Sequence, residues 1–245
     1  PGHRQRSFAC QLVAGHLKQC RLHAAIGDLA GARRALDVGM NVAFECDLER
    51  LRLSVLHEQV RLLLRNGMPD AAAIQASKAG MSDTIRDLAP HPRATTCDEL
   101  CAIIWVRMAL SKDRLADALS VVKQWRSFCA PRGAVRSSIR WNILAAQVHV
   151  TAGDSRAAQR AMREAVAAAA GANIVRSFVD EGPLVLSILS EAYADAVASQ
   201  HPTDIFAQRL LVAFDCRRGL SGTAAAPEDG LYGKLSSKEL EILTL

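Results

Sequence analysis

The sequence predicts an all-α protein made of repeated helical hairpins, and three observations carry that prediction. Ala and Leu, both at the top of the helix scale, supply roughly seventy of the 245 residues, while aromatics make up only 4%. A short turn signature recurs along the chain, as IGDLAGA, NGMPDAA, SKDRLADA and AGDSRAA. No run alternates apolar and polar residues between turns at hairpin spacing, so no sheet is expected.

The turns set a register. With Gly27, Gly67, Asp113 and Gly153 as anchors, spaced 40, 46 and 40 residues apart, the fifth residue after each is alanine: Ala32, Ala72, Ala118 and Ala158. Nine after the anchor come Leu36, Ala76, Val122 and Met162, and seven before it come Cys20, Val60, Val106 and Ala146. Small apolar residues at matched positions let two helices approach closely, so each unit reads as an antiparallel pair joined by a tight turn. The pattern resembles tetratricopeptide-type repetition, which implies a right-handed solenoid of helical hairpins. Two features depart from it: the period exceeds the usual repeat of about 34 residues, and the Trp-x2-Leu-Gly-x2-Tyr signature is missing. An irregular helical bundle with recurrent Gly-Asp turns is the alternative.

The helical runs are apolar on more than one face. In LERLRLSVLHEQVRLLL, Leu48, Leu51, Val55 and Leu62 form one stripe, and Leu53, Leu56, Val60 and Leu63 form another. A helix buried on two sides is what stacking of hairpins demands. Farther on, in IVRSFVDEGPLVLSILSEAYA, Gly182 is placed to end one helix and Pro183 to open the next, sending Leu184, Val185, Leu186, Ile188 and Leu189 into the core. After FAQRLLVAFDCRR comes a stretch rich in Gly, Ser, Ala and Pro that breaks the periodicity and reads as a linker. The last segment, LSSKELEILTL, has Ser236 and Glu239 at capping-box spacing and reads as a helix start.

Composition excludes several functions. A net charge of +5 would suit a nucleic-acid binder if the basic residues clustered, but Arg4, Arg6, Arg33, Arg34, Arg50, Arg52, Arg107, Arg217 and Arg218 are scattered among acids. Eleven dispersed aromatics offer no stacking platform for bases, so a mildly basic solvated surface is expected. Seven irregularly spaced cysteines imply no disulfide framework, and no stretch is long and apolar enough for a signal peptide or a membrane span, which points to the cytoplasm and to no membrane partner. No phosphate-binding Gly-x4-Gly-Lys-Ser/Thr loop, His-Glu-x2-His, Gly-x-Ser-x-Gly or paired Cys-x2-Cys occurs. His16, Cys20 and His23 share a helical face, as do Cys97 and Cys101, but neither spacing is specific for a metal and none is assigned. Asp28 and Asp154, just after turn glycines, have local structural work available, as do Glu239 and Glu241 at a helix start. No catalytic residue is identified and no enzyme is expected.

The C-terminal segments carry a family resemblance. Leu235, Ser236, Glu239, Glu241, Ile242 and Leu243 resemble the opening of a LuxR-type helix-turn-helix domain, with Lys238 in place of the usual arginine. Upstream, Arg176-Ser177-Phe178-Val179-Asp180-Glu181-Gly182-Pro183 and then Phe206-Ala207-Gln208-Arg209-Leu210-Leu211-Val212-Ala213-Phe214 resemble, in order, the hallmarks of MalT-like regulators. These are bacterial transcription activators with an N-terminal STAND-type ATPase, a tetratricopeptide-like arm and a C-terminal LuxR-type DNA-binding domain.

The resemblance implies an organisation. Residues 1–216 are the sensor and oligomerisation arm, 217–234 a flexible linker and 235–245 the truncated start of the helix-turn-helix domain. The chain is then expected to be a fragment that begins after the ATPase and stops before the recognition helix, with no cofactor of its own and ATP implied only for the N-terminal domain. Its expected partners are a small-molecule or protein inducer and further copies of the parent, with promoter DNA reached only through the missing helix-turn-helix. A free-standing tetratricopeptide adaptor for partner peptides is the rival, but it leaves LSSKELEILTL unexplained. Any ligand pocket is expected on the first helices of the repeats, where Trp105, Arg107, Arg140 and Trp141 offer area and charge; burial of both tryptophans in the core is the alternative. Replacing Arg107 and Arg140 by alanine is then expected to weaken the inducer response without lowering thermal stability.

Overall fold

The structure, a computed structural model, describes residues 2–81, 85, 88–194 and 201–222, the first five and last six of these by backbone alone. Among the described residues every regular element is helical. The order is α1 (Gly2–Ala25), α2 (Leu29–Glu45), α3 (Glu49–Arg65), α4 (Pro69–Lys78), α5 (Thr96–Ser111), α6 (Leu115–Cys129), α7 (Val135–Thr151), α8 (Ser155–Ala170), α9 (Arg176–Val179), α10 (Pro183–Ala192) and α11 (Pro202–Gly222). Each helix packs on its neighbour in sequence from α1 to α8, and α1, α3, α5 and α7 also pack on one another in order. The odd-numbered helices therefore line one inner face, and the even-numbered helices back them.

The four anchors are the turns inside the hairpins α1–α2, α3–α4, α5–α6 and α7–α8. All four take left-handed backbone: Gly27 at φ 85°, Gly67 at 69°, Asp113 at 57° and Gly153 at 80°. Glycine enters this region without a Cβ clash, and aspartate tolerates it better than most residues. Asp28 and Asp154 cap the helices that follow, accepting hydrogen bonds from the backbone N–H groups of Gly31 at 2.7 Å and Ala157 at 2.9 Å. The matched alanines Ala32, Ala72, Ala118 and Ala158, and the matched Cys20, Val60, Val106 and Ala146, are all buried where the paired helices meet. Burial pushes the Cys20 thiol up to about 12, which makes it an inert packing residue.

The two stripes of α3 divide as the stacking argument requires. Leu51, Val55 and Leu62 are buried with α1 and α2, and Leu48 packs beside them at half burial. Leu56, Val60 and Leu63 are buried with residues of α4 and α5, and Leu53 packs beside these. The longer 46-residue interval contains the connection from α4 to α5, which is held where the Trp125 indole N–H donates to the Leu88 carbonyl at 2.8 Å. Thr95 and Asp98 then cap α5 reciprocally.

The last unit closes the stack. Val185, Ile188 and Leu189 of α10 and Phe206, Ala207, Leu210 and Phe214 of α11 join the core built around α5 to α8. Leu184 departs from expectation: it is exposed, and Gly182, at φ 92°, caps α10 from its N-terminal side instead of ending α9. A contact between α11 and α1 shows that the arm curves until its two ends meet. Helix α11 continues to Gly222, six residues into the segment read as a linker; the rest of that segment and residues 235–245 lie outside the described residues.

Candidate functional site

The inner face holds a cavity of about 460 Å³, walled by α1, α3, α5 and α7 and by the chain from Ala172 to Glu181. That volume lies in the range of small-molecule sites. Its charged lining consists of six arginines, Arg21, Arg61, Arg107, Arg136, Arg140 and Arg176, against three carboxylates, Glu58, Asp180 and Glu181.

The repeat register explains how these arginines meet. Six residues before the four anchors stand Arg21, Arg61, Arg107 and Gln147, one on each inner helix at the same turn. All four side chains converge on the two carboxylates of the Asp180-Glu181-Gly182 loop. The Asp180 carboxylate lies 3.7 Å from Arg21 and 3.8 Å from Arg61, and Arg176 approaches it at 3.1 Å from the preceding turn. Glu181 accepts two hydrogen bonds from Arg107, at 2.8 and 2.6 Å, and one from Gln147 at 3.4 Å. Arg65 donates to the Asp180 carbonyl, and its side chain lies where a Cβ on Gly182 would have to sit, so the loop needs glycine there for space as well as for its φ. One pair of adjacent acids thereby ties four hairpins together.

Burial makes these pairs strong. Arg107 is only 9% exposed and Glu58 2%. Burial alone would raise the Glu181 carboxyl, but the Arg107 guanidinium overrides it and holds the group at about 2. Glu58 follows the same logic: burial raises it, and Arg61 and Arg21, both bonded to it, bring it below the usual carboxylate range. His57 is kept well below 6.5 by burial and then by Arg107, Arg61 and Arg140, so its imidazole is neutral. Its Nε2, together with the Nε atoms of Arg61 and Arg107, is buried without a hydrogen-bond partner.

Of the residues expected to bind ligand, Arg107 and Arg140 line the cavity. Trp105 and Trp141 lie outside it. Trp141 is fully buried, stacked on Trp125 at 5.4 Å between ring centroids, and donates its indole N–H to Glu99 at 3.1 Å. Trp105 is buried on α5 with the Arg114 guanidinium over its ring at 5.0 Å. The bidentate buried pair with Glu181 argues against the expectation that Arg107 can be removed without loss of stability. Of the arginines read as scattered among acids, Arg107 lines the cavity; the other five lining arginines are ones that reading did not name, far apart in sequence because each inner helix contributes its own. The signal was available at the sixth position before each anchor, but a search for apolar matches passes over it.

The metal candidates do not converge. His16 bonds to Gln19 and His23 to Asp28, while Cys20 is buried in the helix interface. Among the described residues no group of three or more His, Cys, Asp or Glu could hold an ion, and no helix is long and apolar enough to cross a membrane.

No curated protein and no solved structure matches the chain. A family model for the MalT-like TPR region matches residues 3–195, which takes in all four hairpins and the Asp180-Glu181 loop. The chain therefore belongs to the MalT-like TPR family.

Proposed function

We propose that this chain is the effector-sensing and signal-relay arm of an ATP-dependent LuxR-type transcription activator. The observation that carries the reading is the cavity whose wall is shared by four inner helices and the Asp180-Glu181 loop. An effector entering it adds to or competes with ion pairs that set how the hairpins sit on one another. It acts only through its differential affinity for two arrangements of the arm, and that difference is the signal relayed to neighbouring domains. ATP binding, self-association and promoter recognition belong to the parent protein, and the LSSKELEILTL segment supports a DNA-binding domain following the arm.

The test is a transcriptional reporter driven by the parent regulator, with effector concentration varied. Arg140→Gln is expected to move the response to higher effector concentration. An unchanged dose dependence, with the variant protein equally abundant, would refute the sensing role of the cavity.

A further inference from the structure

Four of the six arginines in the cavity are already matched by carboxylates: Arg21 and Arg61 by Glu58 and Asp180, Arg107 by Glu181, and Arg176 by Asp180. Arg136 and Arg140 have no carboxylate partner among the described residues, although they stand four apart on α7 and so share one face of that helix. The lining as a whole carries three more positive charges than negative ones. An arginine cluster of this kind is self-repelling unless something neutralises it, and guanidinium groups match carboxylate and phosphate oxygens in bidentate geometry.

The second observation is unused hydrogen-bonding capacity on three of the side chains that line the cavity, His57, Arg61 and Arg107. The buried Nε atoms of Arg61 and Arg107 each hold a proton with no acceptor, and His57 Nε2 is buried without a partner. Arg107, itself nine-tenths buried, lines the cavity beside His57 and Arg140. Orphaned donors of this kind are costly in a folded interior and point to a missing acceptor.

Deepening the sensing role proposed above, on which it rests, we propose that the cavity binds a small multiply charged oxyanion, bearing carboxylate or phosphate groups, with Arg136 and Arg140 as its primary anchors and Arg107 and His57 as the inner wall. Such a ligand supplies the negative charge that the three protein carboxylates leave unmet. It also bridges α7 to α3 and α5 beside the Asp180-Glu181 loop, so the inner face is tied by protein acids on one side and by ligand on the other.

The experiment titrates pyrophosphate and citrate separately into the 245-residue chain at physiological ionic strength, read by calorimetry and by the His57 imidazole resonance. Saturable binding of at least one probe is expected, with the His57 signal moving in step. The probe that binds more tightly tells phosphate from carboxylate. Arg140→Gln should weaken binding by about ten- to a hundredfold, the loss of one charge-assisted pair. Arg140→Lys, which keeps the charge but loses the planar fork, serves if the glutamine variant does not fold. Arg33→Gln combined with Arg34→Gln, which removes two exposed charges on α2, should leave affinity within about twofold, inside the scatter of surface substitutions. Absence of saturation with both probes, or equal weakening by the α2 pair, overturns the proposal. A neutral compound that saturates the His57 response when neither anion does would also overturn it, while leaving the sensing role of the cavity standing.

Discussion

Replacing Arg107 by methionine removes the cation from a buried ion pair of the inner face and leaves an unbranched apolar side chain. The Glu181 carboxyl, ordinarily near 4.5, is held at about 2 in the folded chain. That difference corresponds to about 3 kcal/mol of native-state stabilisation at neutral pH. Breaking a buried pair by deleting one partner costs a similar amount, roughly 3–5 kcal/mol, because the remaining charge is stranded. The expected loss is therefore about 3 kcal/mol, or a fall in Tm of roughly 6–12 °C for a chain of this size. Urea denaturation of Arg107→Met, Glu181→Gln and the double variant measures it as a cycle. The double variant should be little worse than either single one, with a coupling energy of about 2–3 kcal/mol. A loss below about 1 kcal/mol for Arg107→Met, or simple additivity in the double variant, would refute the claim that this pair holds the inner face together.

Acid should destabilise the chain in two stages. His57, Glu58 and Glu181 all sit below their ordinary pKa when folded, so the unfolded chain binds more protons as pH drops. Stability should be full above about pH 6.5, decline first as His57 takes up its proton on unfolding, and decline further from 4.5 toward about 2 as the carboxylates are lost; denaturation midpoints that do not move between about pH 7 and about pH 4 would contradict this. At the turns, Gly153→Ala should cost about 1–2 kcal/mol because its φ is left-handed, although a Cβ there meets no neighbouring atom, whereas Asp113→Gly should be neutral or stabilising by thermal melting. Asp154→Ala removes a helix cap and should lower stability by about 1 kcal/mol. Trp141→Ala should cost roughly 3–5 kcal/mol in denaturation while leaving anion affinity unchanged once the protein is folded, which separates the core tryptophan from the adjacent Arg140.

The hairpins were legible in the sequence because their constraints are local. A left-handed turn needs Gly or Asp, and a close helix pair needs a small residue a fixed distance away, so Gly27 with Ala32 and Gly153 with Ala158 announce themselves. The two stripes of α3 were readable for the same reason, since burial on two faces leaves two apolar periodicities in one helix. The cavity was only half legible. Arg107 and Arg140 were picked out by their place on first helices, but composition and periodicity do not separate a tryptophan in a helix interface from one on an inner face, and Trp105 and Trp141 are interface residues. Asp180 and Glu181 were hidden behind the Gly182-Pro183 helix boundary. Their partners lie on helices far away in sequence, and only the stacking of α1, α3, α5 and α7 side by side brings those partners to one loop.

Hydrogen exchange on a chain carrying Asp180→Asn and Glu181→Gln tests whether these two acids tie the four inner helices together. Loss of amide protection is expected along α1 and α3, at the opposite end of the sequence, together with loss near the substituted loop. Protection lost only in α9 and α10, with α1 and α3 unchanged, would contradict that tie.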